Sequence, residues 1–172
     1  MATAFEQHEA ARLREAFAAA PEATLRGGFA FSWWCHGGEP GPDWLSDKLD
    51  LATRDDQFSG LYTRARPDPT PPFQIRAQAF SGGVPEPLIR ALLAAIFASR
   101  LFEATVASEL RGDLMDALQQ HFDLTLAGVR LQKTLFEPAA EELGGFPNVC
   151  AQIIRRLTET GSRRELPPAI QP

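Results

Sequence analysis

PEPLIRALLAAIFASRLFEATVASELRGDLMDALQQHF, residues 85–122, is the longest segment of the chain that reads as one kind of structure. Leu88, Leu92 and Ile96 stand four apart, as do Ile89, Leu93 and Phe97, so two adjacent stripes of a helix are apolar. A helix that is apolar around most of its circumference is a buried helix. Pro85 and Pro87 sit at the first turn, where proline is tolerated, and Glu86 suits the positive end of the helix dipole. Ser99–Arg100 marks a bend, after which Leu101, Phe102, Thr105, Val106 and Leu110 continue a narrower stripe as far as Gly112. Asp113 then caps a third short helix carrying Leu114, Leu118 and Phe122.

Upstream, residues 4–19 set Phe5, Leu13 and Phe17 among charged residues, the pattern of an amphipathic surface helix ended by Pro21. Leu25 to Trp34 is rich in aromatics around Gly27–Gly28 and reads as a strand, with Phe29, Phe31 and Trp33 on one face and Ala30, Ser32 and Trp34 on the other. Cys35 to Pro42 is a loop by composition, and Asp43 to Leu51 reads as a short helical turn. Phe58 to Arg66 and Phe73 to Phe80 read as two further strands, separated by the stiff PDPTPP loop. Three consecutive strands connect most simply as an antiparallel meander.

Downstream, DLTLAGVRLQKTLF (123–136) admits two periods. Leu124 and Leu126 alternate, as do Val129 and Leu131, which permits a strand bulged at Gly128; Leu124, Leu131 and Leu135 with Phe136 also fit a helical stripe, and that reading is preferred. Pro138 to Leu143 adds a helical piece. Asn148 caps a last helix with Val149, Ile153, Ile154 and Leu157 inward, ended by Gly161. The expected fold is α+β: residues 1–82 form a helix plus a small antiparallel sheet, packed on a helical bundle of residues 83–172, as two domains or as one continuous domain.

A chain of 172 residues with 44% apolar side chains fits one domain or two small ones. The longest apolar run, Ala91 to Ala98, is far short of a membrane helix, and no signal pattern opens the chain, so a cytoplasmic location without membrane contact is the default expectation. Net charge is −5, shared as 8 basic and 11 acidic side chains in residues 1–82 and 9 and 11 in residues 83–172. Neither half carries the basic footprint of a nucleic-acid binder. The basic pairs Arg155–Arg156 and Arg163–Arg164 are expected on an exposed interaction surface.

Residues 114–170 resemble the effector-associated domains of bacterial conflict systems, small helical bundles of the death-fold type. The resemblance is carried by LMDALQQHF, by Leu126, Leu131 and Leu135, by AEELGG followed by VCAQIIRRL, and by TGSRREL, with Arg156 where that family typically has a tryptophan. It implies an adaptor module that binds copies of itself or a like domain through exposed helix faces.

Candidate chemistry centres on Cys35–His36, followed by Gly37–Gly38 at a strand-to-loop junction, a string similar to that of caspase-like peptidases. Adjacent strand residues point to opposite faces, however, so the two are poorly placed to pair, and Cys35 is preferred as a core residue. Asp43, Asp47 and Asp50 have helical spacing near Asp55 and Asp56, but lack the glycine and closing glutamate of a calcium loop. Two cysteines at this spacing fit no zinc motif, and no cofactor or metal is expected. Trp33, Trp34 and Trp44 flank the CHGGEPGP loop and either line a binding site, with Cys35 and His36 beside them, or close one end of the core.

The expectation is therefore a non-catalytic adaptor working through its bundle by contact with a protein partner or with itself. The alternatives are a small enzyme or ligand-binding protein with its site at Trp33–Trp44, and an accessory subunit of a larger complex.

Overall fold

A computed structural model of the chain describes residues 4–37, 44–68, 74–99, 101, 118–136 and 143–167. In chain order its elements are α1 (Ala4–Ala19), α2 (Pro21–Arg26), β1 (Phe29–Gly37), β2 (Leu45–Arg54), β3 (Gln57–Pro67), β4 (Ile75–Gly83), α3 (Glu86–Ala98), β5 (Gln119–Leu126), β6 (Val129–Phe136), α4 (Phe146–Thr160) and β7 (Ser162–Leu166). The seven strands form one open sheet in the order β6-β5-β1-β2-β3-β4-β7, and every pairing is antiparallel. Strands from either side of residue 83 thus share one sheet.

The buried helix at the centre of the sequence reading is present as α3. Ile89, Leu92, Leu93 and Ile96 are almost wholly removed from water, each contributing about 1.5–3 kcal/mol by burial. Pro85 stands at its N-cap and Ser99 at its C-cap. The Ser99 hydroxyl donates to the Ile96 carbonyl at 2.6 Å, satisfying one of the helix's last free acceptors. In α4 the amphipathic face is Phe146, Cys150, Ile153 and Leu157, and Gly161 ends the helix as expected; its N-cap is Gly145, not Asn148.

The bundle expected over residues 83–172 is not there. Residues 119–136, read mainly as helix, form the β5–β6 hairpin, and β7 follows α4 at the far edge of the sheet. The physical reason is legible in β5, where QQHFDLTL alternates without a break between half-buried and buried positions. The hairpin closes at Ala127–Gly128, both at positive φ, as a two-residue type I′ turn demands. The same device, Asp55–Asp56, joins β2 to β3. Residues 45–51, read as part of a helical turn, are the start of β2, so the expected small sheet of three strands becomes one of seven. The helical readings of 102–117 and 138–142 lie outside the described residues.

Register divides the sheet into two faces. Phe31 lies opposite Leu51 and Leu124, while Trp33 lies opposite Leu49 and Phe122. These inward side chains join Leu13 of α1, α3 and α4 in one continuous core. Among the described residues the helices therefore cover one face. On the other face the strand side chains are exposed or half-buried, Ala79 excepted. Among the described residues no helix is long and apolar enough to cross a membrane.

Candidate functional site on the open sheet face

β1 lies at the middle of the site. Its alternation sends Phe29, Phe31, Trp33 and Cys35 to the helix-covered side, and Trp34 and His36 to the open side. The Trp33–Trp44 candidates are consequently split between two environments.

On the open face, β5 pairs with β1 so that His121 stands opposite Trp34. The Trp34 ring stacks on His36, with centroids 4.3 Å apart, and on His121 at 5.1 Å. The two imidazoles are nearly parallel, 13° between planes, and their Nε2 atoms are 3.3 Å apart. Neighbouring strands hold the cluster in place: the Trp34 indole donates to Ser46 Oγ at 2.9 Å from β2, and His121 Nδ1 meets Thr134 Oγ1 at 2.9 Å from β6. Partial burial, and then the adjacent His121, lower the His36 pKa below the ordinary histidine value. A shallow cleft of about 390 Å³ borders the cluster, lined by Ser32, Trp34, Lys48, His121 and Thr134 among others.

Trp34 remains 39% exposed, and Leu61, two strands away on the same face, is 41% exposed. Between them β2 presents Lys48, opposite both Trp34 and Thr63, and Asp50, opposite Leu61, the two paired at 3.0 Å, and beyond Leu61's strand Ala77 and Ala79 of β4 are small. Such a face is mixed, partly apolar and partly charged.

The covered face ends differently. Beyond the helices, Trp33 donates to Gln120 Oε1 at 3.0 Å, Tyr62 donates to Asp47 Oδ1 at 2.6 Å, and Arg66 holds both Asp47 oxygens at 2.8 and 3.0 Å. Arg64 bonds Gln78, which in turn donates to Glu165. Burial and the Asp47 hydrogen bond raise the Tyr62 pKa, which keeps the phenol a donor. Cys35, 7% exposed, lies beside this network, and burial, followed by the Asp47 charge, pushes its thiol up to about 11. A thiol so protonated is a poor nucleophile at neutral pH. Among the described residues its chain neighbour His36 points to the opposite side of the sheet, so the Cys35–His36 pair is not a catalytic dyad.

Other expected site residues are dispersed. Trp44 is half-buried ahead of β2 and does not enter the Trp34–His36–His121 stack. Arg155 and Arg156 are exposed on α4, whereas Arg163 pairs with Glu165 at 2.5 Å and Arg164 takes the opposite face of β7, so the four do not share one surface. Asp47 and Asp50 fall on opposite faces of β2, and Asp55 and Asp56 form its turn. Asp43 lies outside the described residues. His121 falls in the segment read as the third short helix, with Leu114, Leu118 and Phe122; the unbroken alternation of residues 119–126 is the signal that turns it outward beside Trp34.

Comparison with known proteins finds no family model that matches the chain and no curated protein that matches it.

Proposed function

We propose that the chain is a non-catalytic binding protein whose contact surface is the open sheet face around Trp34. The observation that carries this reading is the placement of Trp34 and Leu61. Two large apolar side chains, each about two-fifths exposed, stand on one sheet face, while the core residues are folded away under the helices; among the described residues the other exposed large apolar side chain is Phe5 of α1. Tryptophan offers much contact area with little side-chain entropy to lose, which is why it recurs at the centres of protein interfaces. The stack with His36 and His121 fixes the indole before any partner arrives, which lowers the ordering cost of association.

Site-specific photo-crosslinking in the cells that make the protein tests this. A photoreactive residue at Leu61 is expected to capture a specific protein, or a second copy of the chain, while the same residue at the exposed Ala151 of α4 does not. Capture from Ala151 with none from Leu61 would move the contact surface to the helices and overturn the proposal.

A further inference from the structure

We propose that His36 and His121 together bind one divalent transition-metal ion of the nickel, copper and zinc class through their Nε2 atoms. This site stands on the geometry around the two imidazoles and does not depend on the docking role of the open face.

Three observations carry it. First, the two Nε2 atoms are 3.3 Å apart. Without metal this contact is a hydrogen bond in which one ring donates to the other. Two imidazole nitrogens held by one zinc ion at 2.0–2.1 Å and a tetrahedral angle also stand about 3.3 Å apart, so an ion that displaces the shared proton finds the pair at a chelating spacing. Second, Thr134 Oγ1 contacts Nδ1 of His121 at 2.9 Å. A partner at the second ring nitrogen orients a metal-binding histidine, and in the tautomer with the proton on Nδ1 the threonine hydroxyl accepts it and Nε2 is the ligand atom. Third, Trp34 packs against both rings, at 25° and 32° between planes, and so restrains the ring planes.

The donor set selects the class of metal. Two neutral imidazoles suit zinc, nickel and copper, and disfavour magnesium and calcium, which require oxygen ligands. Asp123, the nearest carboxylate along β5, is engaged by Arg130 and Gln132 instead. Among the described residues no third His, Cys, Asp or Glu converges on the pair. The remaining coordination positions therefore fall to solvent or to a donor from a bound molecule, as in a metal site that keeps open positions.

Isothermal titration of zinc chloride, nickel chloride and copper chloride into the full chain, freed of metal with a chelator and dialysed, tests the site. The expected result is one ion per chain, with copper bound most tightly of the three. Copper and nickel are also expected to quench the emission of Trp34, assigned through Trp34→Phe. His36→Ala and His121→Ala should each lower affinity at least tenfold, Thr134→Val about tenfold, and His8→Ala, on the exposed face of α1, not at all. Thermal transitions recorded in chelator confirm that the variants are folded, and His36→Gln and His121→Gln replace any that are not. Absence of saturable binding by the native chain would overturn the proposal, as would undiminished one-to-one binding by the folded double variant.

Discussion

His36 and His121 lie 85 residues apart in the chain, yet they meet edge to edge across neighbouring strands with their Nε2 atoms 3.3 Å apart. Their meeting is a consequence of register. Trp34 opposes His121 and His36 opposes Gln119, so the two histidines are diagonal neighbours on the open face. Because His121 helps to lower the His36 pKa, the His121→Gln variant in metal-free buffer should show His36 titrating at higher pH than in the native chain. Histidine ring resonances followed by NMR would show this; an unchanged or lower pKa would contradict the geometry.

Cys35 provides the second expectation. Its thiol pKa is raised to about 11 in the fold, against about 8.5 in an unfolded chain. The unfolded state therefore sheds its proton first as pH rises. The stability contributed by the protonated thiol is fully present below about pH 8.5 and is lost as pH climbs towards 11. Alkylation of native protein at pH 7 should accordingly be slow at Cys35, and slow also at buried Cys150, then rise once the chain unfolds. Rapid labelling of Cys35 in native protein would restore it as a candidate nucleophile.

Much of this was legible in the sequence, for reasons that can be named. α3 and α4 announce themselves because each carries a helical stripe over 13 residues or more, α1 by Leu13 and Phe17 one turn apart ahead of Pro21, and the Phe29–Trp33 alternation likewise marks β1. The β5–β6 hairpin was not recovered, because leucines at 124, 131 and 135 satisfy a helical stripe as well as two strands with a tight turn between them. β2 failed for another cause. Its inward positions are Leu45, Asp47, Leu49 and Leu51, and the half-buried carboxylate interrupts the alternation that would have identified it. Asp47 is tolerated there because Tyr62 and Arg66 satisfy it, a pairing that only the folded sheet creates. The site was half visible: Trp34 and His36 were singled out, but their partner His121 is supplied by the hairpin that the helical reading erased.

Tyr62→Phe tests the Asp47 network. The substitution removes one hydrogen bond to a charged acceptor in a half-buried setting while Arg66 remains, so a loss of about 1–2 kcal/mol is expected in urea denaturation. A neutral effect would mean that water replaces the phenol without cost.

Gly60 tests the packing of α4 on the sheet. A Cβ at this position would lie 2.9 Å from Val84 Cγ2, 3.0 Å from Leu157 Cδ1 and 3.1 Å from Leu51 Cδ2. Gly60→Ala should destabilise by roughly 1–3 kcal/mol through overpacking, measured as a lower midpoint at unchanged slope. No change in midpoint would place α4 further from β3 than described.

The two faces should also differ in what they tolerate. Leu124→Ala and Ile153→Ala remove fully buried side chains and should cost about 2–5 kcal/mol each, whereas Leu61→Ser on the open face should stay within about 0.5 kcal/mol. Comparable losses at Leu61 and Leu124 would mean that both faces are covered.

The division of the β1 aromatics between the two faces carries both the binding reading and the metal reading, and their indole N–H resonances report it directly. With a soluble paramagnetic relaxation agent added to the full chain, and peaks assigned through Trp33→Phe and Trp34→Phe, the Trp34 indole should broaden strongly. The Trp33 indole, bonded to the buried Gln120, should be spared. Equal broadening of the two, or protection of Trp34 in place of Trp33, would contradict the account.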